Sequence, residues 1–216
     1  MPQQSTYSLF YPDKISWSTK EFNLYHEILT FVNTLDSFLS PQVKLEQYSL
    51  PSDVIALILV LAANDLKGRN VVEFGCGTGR ITLPVQKFFS NQMLAVDTDV
   101  KIINLLMKLK NDHNLRIDLL LTPIEFLEPY LWGELFHTTI MNPPFGTKRR
   151  GIDIVFLQKA LTFSQTVISI HKSNAQSRKL IAKISQSYTK SCDILATLEF
   201  PIFPTFRFHK KKKHYV

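Results

Sequence analysis

Residues 140–150, IMNPPFGTKRR, combine an amide, two prolines, an aromatic ring and three cations. Pro143 and Pro144 lack a backbone N–H and have a fixed φ, so neither extends a sheet or a helix interior. The carbonyls here can therefore accept hydrogen bonds from another group. Asn142 adds a side-chain oxygen, and Phe145 adds a flat face on which a nucleobase can stack. The sequence predicts a catalytic segment made of Asn142, Pro143, Pro144 and Phe145.

The chemistry that suits this segment is transfer of a group to an exocyclic amine. Such an amine is a weak nucleophile, because its lone pair is delocalised into the ring. Two acceptors, the Asn142 side-chain oxygen and the Pro143 carbonyl, would favour a more tetrahedral nitrogen. The base must be unpaired or flipped out to reach them. Alignment with a sulfonium donor then lowers the barrier without an obvious general base.

A glycine loop, VVEFGCGTGR, lies earlier in the chain. Glycines at alternate positions let the backbone turn sharply and approach a ligand. Glu73 precedes the loop, where an acid attracts a cation, and Asp97 stands where an acid can accept from both ribose hydroxyls. The loop lacks Gly-Lys-Ser/Thr and is not a P-loop, whereas a dinucleotide site stays possible. We predict S-adenosylmethionine as the ligand, with binding residues Glu73, Gly75, Cys76, Gly77, Thr78, Gly79, Asp97, Thr98 and Asn142.

Basic residues follow the proline segment and recur near the end of the sequence. The net charge of +7 favours a polyanionic partner. Lys148, Arg149 and Arg150 are placed to hold phosphates around a flipped nucleotide, and His171 and Lys172 end a predicted strand on the same side. Aromatic residues interleave with the terminal basic run, although a solvated tail is the alternative. The predicted RNA contacts are Lys148, Arg149, Arg150, His171, Lys172, His209, Lys210, Lys211 and Lys212.

Strands that alternate with helices must position these motifs. The apolar strand segments are RNVVEF, QMLAVDTD, LRIDLLL, FHTTIMN, TVISIH, CDILATLEFPI and FRFHKKKKHYV. This pattern predicts an α/β fold with a mostly parallel seven-stranded sheet, helices on both faces and an antiparallel closing pair. Residues 1–42 read as an N-terminal accessory helical extension that packs on the core or binds a partner. Residues 43–216 then form the main domain.

Composition limits the class of protein. A chain of 216 residues with 45% hydrophobic and 20% charged residues is typical of one globular domain. The two cysteines are far apart, which favours a reducing compartment and gives no zinc pattern. The longest apolar run, 54–63, is about half of a membrane span. We see no signal peptide, and we expect a cytoplasmic protein, or a nuclear one in a eukaryote.

The motifs resemble a known family. EFGCGTG with an acid such as Asp97 resembles the class I methyltransferases, which have a Rossmann-like fold. LEQY (45–48), MNPPFGT (141–147), HKS (171–173) and FHKKK (208–212) are similar, in this order, to the methyltransferase-like enzymes that make N6-methyladenosine in small-subunit ribosomal RNA. The resemblance implies adenine in RNA as substrate and S-adenosylmethionine as donor. It also implies that Gln47 and Tyr48 lie near the donor.

The same resemblance implies a small zinc-bearing activator protein at the edge of the sheet. Three consecutive leucines, Leu119 to Leu121, put apolar groups on both faces of the predicted edge strand. An uncovered apolar edge favours association, so a partner chain or the N-terminal helix should cover it. The family usually carries an aspartate where Pro123 stands. Glu125 or backbone contacts would then serve the donor's adenine.

Two other functions fit parts of the sequence. A protein-glutamine methyltransferase would also act on a delocalised amide nitrogen, but such enzymes usually have tyrosine at the position of Phe145 and lack the lysine run. A non-catalytic RNA-binding module is the second alternative, and Pro123 in place of the expected acid favours it.

Overall fold

The computed structural model describes residues 16–35, 46, 49–129, 135–146, 149–201 and 213–215. Its helices are α1 (Thr19–Asn33), α2 (Ser52–Leu61), α3 (Ala63–Leu66), α4 (Thr82–Phe88), α5 (Val100–Asp112), α6 (Ile152–Phe163) and α7 (Ala175–Ser187). Its strands are β1 (Asn70–Phe74), β2 (Gln92–Asp97), β3 (Ile117–Leu121), β4 (Thr138–Met141), β5 (Thr166–Ser169), β6 (Glu199–Pro201) and β7 (Lys213–Tyr215). A 3-10 turn covers Ile124–Phe126.

The five strands β1 to β5 form a parallel sheet in the order β3-β2-β1-β4-β5. Near its carboxyl end, Phe74 of β1 pairs with Val96 of β2 on one side and Met141 of β4 on the other. The central strands are apolar and buried on both faces, as continuous runs such as VVEF predict. The predicted α/β class is therefore confirmed.

The strand count of the main sheet differs from the predicted seven. β6 and β7 pair only with each other, as a separate antiparallel ribbon of three residues each. The segment 192–198, predicted as part of a strand, has no strand structure, and its Ile194 and Leu195 are 58% and 54% exposed. β-branched and apolar composition favours a strand only where a neighbouring strand and a packed face are present.

Two apolar cores cover the two faces of the sheet. Val71 packs with α1, α2 and α4 in one core, whereas the next residue, Val72, packs with α6 in the other. This alternation follows from the period of two along a strand. Glu73 points to the same face as Val71 and so toward α4.

α1 begins at a capping box, in which Ser18 accepts from the Glu21 N–H and the Glu21 carboxylate accepts from the Ser18 N–H. It ends at Asn33. Its Ile28 and Val32 are fully buried in the core shared with α2 and α4. The division of the chain at residue 42 stays a prediction. In the part of the chain that the structure describes, no helix has the length and apolarity to cross a membrane.

Candidate active site at the strand ends

The carboxyl ends of β1, β2 and β4 meet at one cleft with a volume of about 290 Å³. Both predicted motifs contribute to its wall, because strands one and four are neighbours in the sheet. The predicted residues that line it are Glu73, Gly75, Cys76, Gly77, Thr78, Asp97, Thr98, Asn142, Pro143, Pro144, Phe145 and Arg149. Gly79 lies behind this wall.

The glycine loop is fixed to the end of β2. The N–H groups of Gly75 and Cys76 both donate to the Val96 carbonyl, at 2.9 and 3.0 Å. Gly79 has a φ of +82°, and a Cβ there would lie 2.2 Å from Leu106 Cδ2. Only glycine fits this position, because a side chain would meet both a disfavoured backbone region and the buried α5 face. α4 starts at Thr82, three residues after Gly79.

Asp97 is oriented by the loop on one side and by its own turn on the other. Its Oδ2 accepts from Gly77 N at 3.0 Å, and its Oδ1 accepts from Asp99 N at 2.9 Å. Burial raises the pKa of Asp97, while these backbone N–H groups oppose the rise. The carboxylate is thereby fixed at the cleft wall, where it can still accept hydroxyl groups, because two oxygens together offer about four lone pairs.

Glu73 is almost fully buried at the floor of the cleft. The Thr82 hydroxyl donates to its Oε2. Burial raises the pKa of Glu73 well above its usual range, and the nearby Asp97 charge adds to this, against the effect of Thr82. An acid in such a place favours a cationic ligand, because a positive charge offsets the cost of ionising the carboxyl group.

The proline segment lies directly after β4. Pro143 is buried, and Asn142 Oδ1 is buried without a hydrogen-bond partner among the described residues. An unpaired buried acceptor costs about 1–3 kcal/mol, so it is retained where a ligand can supply the donor. Phe145 is half-buried at the rim, with Lys172 Nζ 5.9 Å from its ring centroid.

His171, predicted as an RNA contact, is mostly enclosed. Its side chain is only 9% exposed, with Nδ1 3.7 Å from Asp153 Oδ2 and Nε2 2.7 Å from Ser169 Oγ. The adjacent His171 side chain lowers the pKa of Asp153. The geometry therefore joins the end of β5 to the first turn of α6, beside the proline segment.

Arg149 stands at the mouth of the cleft, whereas Arg150 is exposed outside it. Arg149 Nη1 lies 3.0 Å from Glu125 Oε1, in an exposed ion pair. Pro123 and Glu125 both line the cleft on the β3 side. The ion pair thus connects the segment after β3 with the segment after β4.

Several predicted residues lie outside the described residues. These are Gln47, Tyr48, Lys148, His209, Lys210, Lys211 and Lys212. The neighbours of the first two, Glu46 and Ser49, line the cleft. Their roles stay predictions.

Sequence reasoning missed Arg80, which also lines the cleft. Its guanidinium donates to the carbonyls of Val32 and Leu35 and to Ser52 Oγ. The only local signal was its position after the glycine loop, since these partners lie 28 to 48 residues away in sequence.

A parallel sheet in this strand order, a glycine loop after β1, an acid at the end of β2 and the proline segment after β4 define the Rossmann-like class I methyltransferases. Residues 52–177 match the family model described as the methyltransferase small domain, and this chain belongs to that family.

Two relatives are similar to this protein over most of its length. The rRNA N(6)-adenosine-methyltransferase METTL5 of Danio rerio is 27% identical over 192 residues, covering 86% of this chain and 91% of the relative. The Drosophila melanogaster protein of the same name is 28% identical, with 84% and 87% covered. The resemblance drawn from the motifs is thereby confirmed.

A solved structure shares the fold closely. The crystal structure of a protein from Pyrococcus horikoshii, described as a candidate RNA methyltransferase, is 27% identical with a TM-score of 0.76. The match covers 89% of this chain and 93% of that chain.

Proposed function

We propose that this protein transfers a methyl group from S-adenosylmethionine to N6 of an adenosine in RNA, most specifically in small-subunit ribosomal RNA. One observation carries the proposal. The buried Asn142 Oδ1, which has no hydrogen-bond partner in the described part of the chain, belongs to the same cleft as the acids Glu73 and Asp97. A hydrogen-bond acceptor for an amine and a wall that favours a cation therefore face the same cleft.

The residues of the β1–β2 half fit the donor. Asp97 is held with free lone pairs toward the cleft, which suits the two ribose hydroxyls. Glu73 at the floor suits the positive end of the molecule. When bound, S-adenosylmethionine supplies an electrophilic methyl group whose departure leaves a neutral thioether. The cleft wall near Pro123 and Glu125 would face the donor's adenine.

The residues of the β4 half fit the acceptor amine. Asn142 Oδ1 and the Pro143 carbonyl would each accept one N–H of adenine N6, which localises the nitrogen lone pair for in-line attack. The N–C bond forms as the S–C bond breaks, the bonding pair goes to sulfur, and the new amine releases one proton to water. Phe145 would stack on the ring, worth roughly 1–3 kcal/mol.

The choice of RNA adenine rests on the relatives and on charge. The relatives with assigned names are rRNA N(6)-adenosine methyltransferases, and the motifs shared with that family span residues 45–212. Arg149 at the cleft mouth and Lys172 beside Phe145 are placed to contact phosphates. We place the reaction in the cytoplasm, or in the nucleus of a eukaryote.

The test is methyl transfer from labelled donor to small-subunit ribosomal RNA, followed by mass spectrometry of the nucleosides. We expect N6-methyladenosine from the wild type and a large loss in Asn142→Ala. Full activity in Asn142→Ala would overturn the mechanism. Label that resists nuclease but yields to protease would instead indicate a glutamine methyltransferase. Absence of donor binding, with and without an activator, would indicate a non-catalytic RNA-binding module.

We further propose that a small zinc-bearing activator pairs with the outer edge of β3. This strand is at the edge of the five-stranded sheet, and Leu121 is 48% exposed. A groove of about 240 Å³ over β2 and β3 is lined by Gln92, Met93, Leu94, Asp118, Leu119, Leu120, Leu135 and Phe136. α1 packs mainly against α2 and α4. This favours a partner chain, rather than α1, as the cover of the β3 edge.

Co-expression with candidate activators followed by size-exclusion chromatography tests the partner. We expect Leu121→Glu to abolish co-elution while the isolated protein keeps its melting temperature, because the side chain is already exposed. Met107→Glu on α5 is a matched control, because this apolar side chain is 49% exposed and the change in charge is the same. Unchanged co-elution of Leu121→Glu would contradict pairing at this edge.

A further inference from the structure

Arg80 holds two separate parts of the chain against the glycine loop. Its Nη1 donates to the Leu35 carbonyl at 2.7 Å and, more weakly, to the Val32 carbonyl at 3.4 Å, at the end of α1. Its Nη2 donates to Ser52 Oγ at 2.8 Å, at the start of α2. One guanidinium therefore links residues 35 and 52 to the backbone that follows Gly79.

The contacts of Arg80 enclose part of the cleft wall. Glu46, Ser49 and Leu50 stand between Leu35 and Ser52 in sequence, and all three line the cleft. Leu50 is buried against the core that α1 and α2 share. Because Arg80 donates to both Leu35 and Ser52, it braces the described residues of this wall in addition to the apolar core.

The environment of Arg80 supports a dedicated role. Burial lowers the pKa of its guanidinium, and its Nε is buried without a hydrogen-bond partner among the residues that the structure describes. A half-buried cation that leaves a buried donor unpaired is costly for stability alone. Arginine suits the task because its planar fork donates in two fixed directions, which a lysine ammonium does not reproduce.

We propose that Arg80 is a positioning residue for donor binding, which braces the side of the cleft lined by Glu46, Ser49 and Leu50 by joining the end of α1 to the start of α2. The inference rests on the proposed function for the identity of the donor. It adds that donor affinity depends on the docking of α1, although α1 itself lies outside the cleft lining.

The test measures donor affinity separately from turnover. We expect Arg80→Met to raise the dissociation constant of S-adenosylhomocysteine, measured by calorimetry, on the order of tenfold or more, as loss of charged hydrogen bonds implies. At saturating donor, kcat and the KM for RNA should stay within about twofold, since Asn142 and Phe145 are untouched. Arg80→Lys should be intermediate, because one ammonium cannot reach both ends.

A second readout needs no donor. Amide hydrogen exchange of residues 49–53 should be faster in Arg80→Lys than in the wild type, because the link to α1 is lost. Ser52→Ala removes one of the three hydrogen bonds and keeps the guanidinium, so we expect a two- to threefold rise in the dissociation constant. Ser52→Ala decides the question if Arg80→Met does not fold.

Leu161→Ala is the matched control for general destabilisation. Leu161 is buried in the opposite core, with α6, and does not line the cleft. Its melting temperature should fall while donor affinity stays at the wild-type value. Unchanged donor affinity in folded Arg80→Met or in Ser52→Ala, or an equal loss of affinity in Leu161→Ala, would overturn the role of Arg80.

Failure of the two proposals gives different results. A wild type that binds S-adenosylhomocysteine but does not methylate RNA would overturn the proposed function and leave the role of Arg80 standing. If the wild type methylates RNA and Arg80→Met binds the donor normally, the proposed function stands and the role of Arg80 is overturned. If the wild type binds no donor, both fall, although the exchange data would still report whether Arg80 fixes the wall.

Discussion

The two halves of the cleft differ in how their polar groups are satisfied. In the half formed by β1 and β2, both oxygens of Asp97 accept backbone N–H groups and Glu73 accepts from Thr82. In the half formed by β4, Asn142 Oδ1 is buried with no hydrogen-bond partner among the described residues. The two acids of the first half are held before any ligand arrives, although Arg80 Nε beside them has no partner among the described residues, whereas Asn142 keeps an acceptor for a ligand.

This difference matches the two tasks of a group-transfer enzyme. A donor that is the same in every turnover is bound best by groups fixed in advance, because less freedom is lost on binding. The amine that receives the methyl group must be activated in the transition state. Unpaired hydrogen-bond acceptors are therefore most useful beside this amine, where the charge changes. Substitutions in the first half should therefore change binding and stability, and those in the second should change turnover.

Asn142→Ala should have the largest effect and be confined to turnover. Removal of a preorganised hydrogen-bonding group in an active site typically costs 10²–10³-fold, so we expect kcat to fall by about that factor. The donor dissociation constant should change by less than about threefold, since Asp97 and Glu73 are intact. Single-turnover kinetics and calorimetry separate the two. A donor affinity that falls as steeply as kcat would break the comparison.

Gly79→Ala should act on stability and donor binding together. The new Cβ would lie 2.2 Å from Leu106 Cδ2 at a φ of +82°. Overpacking and the disfavoured backbone region should together lower the free energy of unfolding by about 2–4 kcal/mol. Urea denaturation measures this loss.

Gly68→Ala is the matched control for Gly79→Ala. Its φ of +69° is similar, but no atom lies within 4 Å of the added Cβ. Gly68→Ala should lower the free energy of unfolding by only about 1–2 kcal/mol, because it meets the disfavoured backbone region but no packing clash. Equal losses in the two variants would mean that α5 moves freely away from the loop.

Glu73→Gln should weaken donor binding and, as the pH rises, make the protein more stable than the wild type. Because burial raises the pKa of Glu73, the folded state holds a proton that the unfolded state releases. The contribution of Glu73 to stability is therefore greatest below the usual glutamate range and is lost as pH rises toward the raised value. The wild type should lose melting temperature relative to Glu73→Gln as the pH rises above the usual glutamate range.

Thermal melts of both proteins across this pH range measure the difference, and all other titrating groups are common to the two. Donor binding by Glu73→Gln should be weaker at every pH, because the variant cannot offer a negative charge to the cation. Parallel melting curves would contradict the raised pKa. Unchanged donor affinity would remove Glu73 from the donor half.

Glu125→Gln should have the smallest effect, on RNA affinity. It releases Arg149 from an ion pair whose arginine side chain is 67% exposed, and such pairs contribute about 0–1 kcal/mol. RNA should bind up to about twofold tighter at low salt, with no change at high salt. Arg149→Gln should bind RNA more weakly and reduce the slope of log affinity against log salt by about one. A salt slope equal to that of the wild type would remove Arg149 from the phosphate contacts.

Local motifs predicted much of the site because each is contiguous in sequence. The glycine loop and the proline segment need only their own residue types and a preceding strand, and both line the cleft. The strand prediction for residues 192–198 was wrong for the opposite reason, since a strand needs a hydrogen-bonded neighbour that no local pattern specifies. His171 carried no local sign of Asp153, which lies 18 residues before it.

The sequence by itself determined the central buried strands, their alternation with helices and the order of the motifs along the chain. These follow from hydrophobic period and from the conformational limits of glycine and proline, which act over a few residues. Only the tertiary structure decided that strands one and four are neighbours and that β6 and β7 stand apart. It also decided that Glu73 is desolvated, that Asn142 Oδ1 lacks a partner and that Arg80 joins α1 to α2. Burial and long-range hydrogen bonds depend on which distant segments meet, and the order of strands in the sheet fixes this.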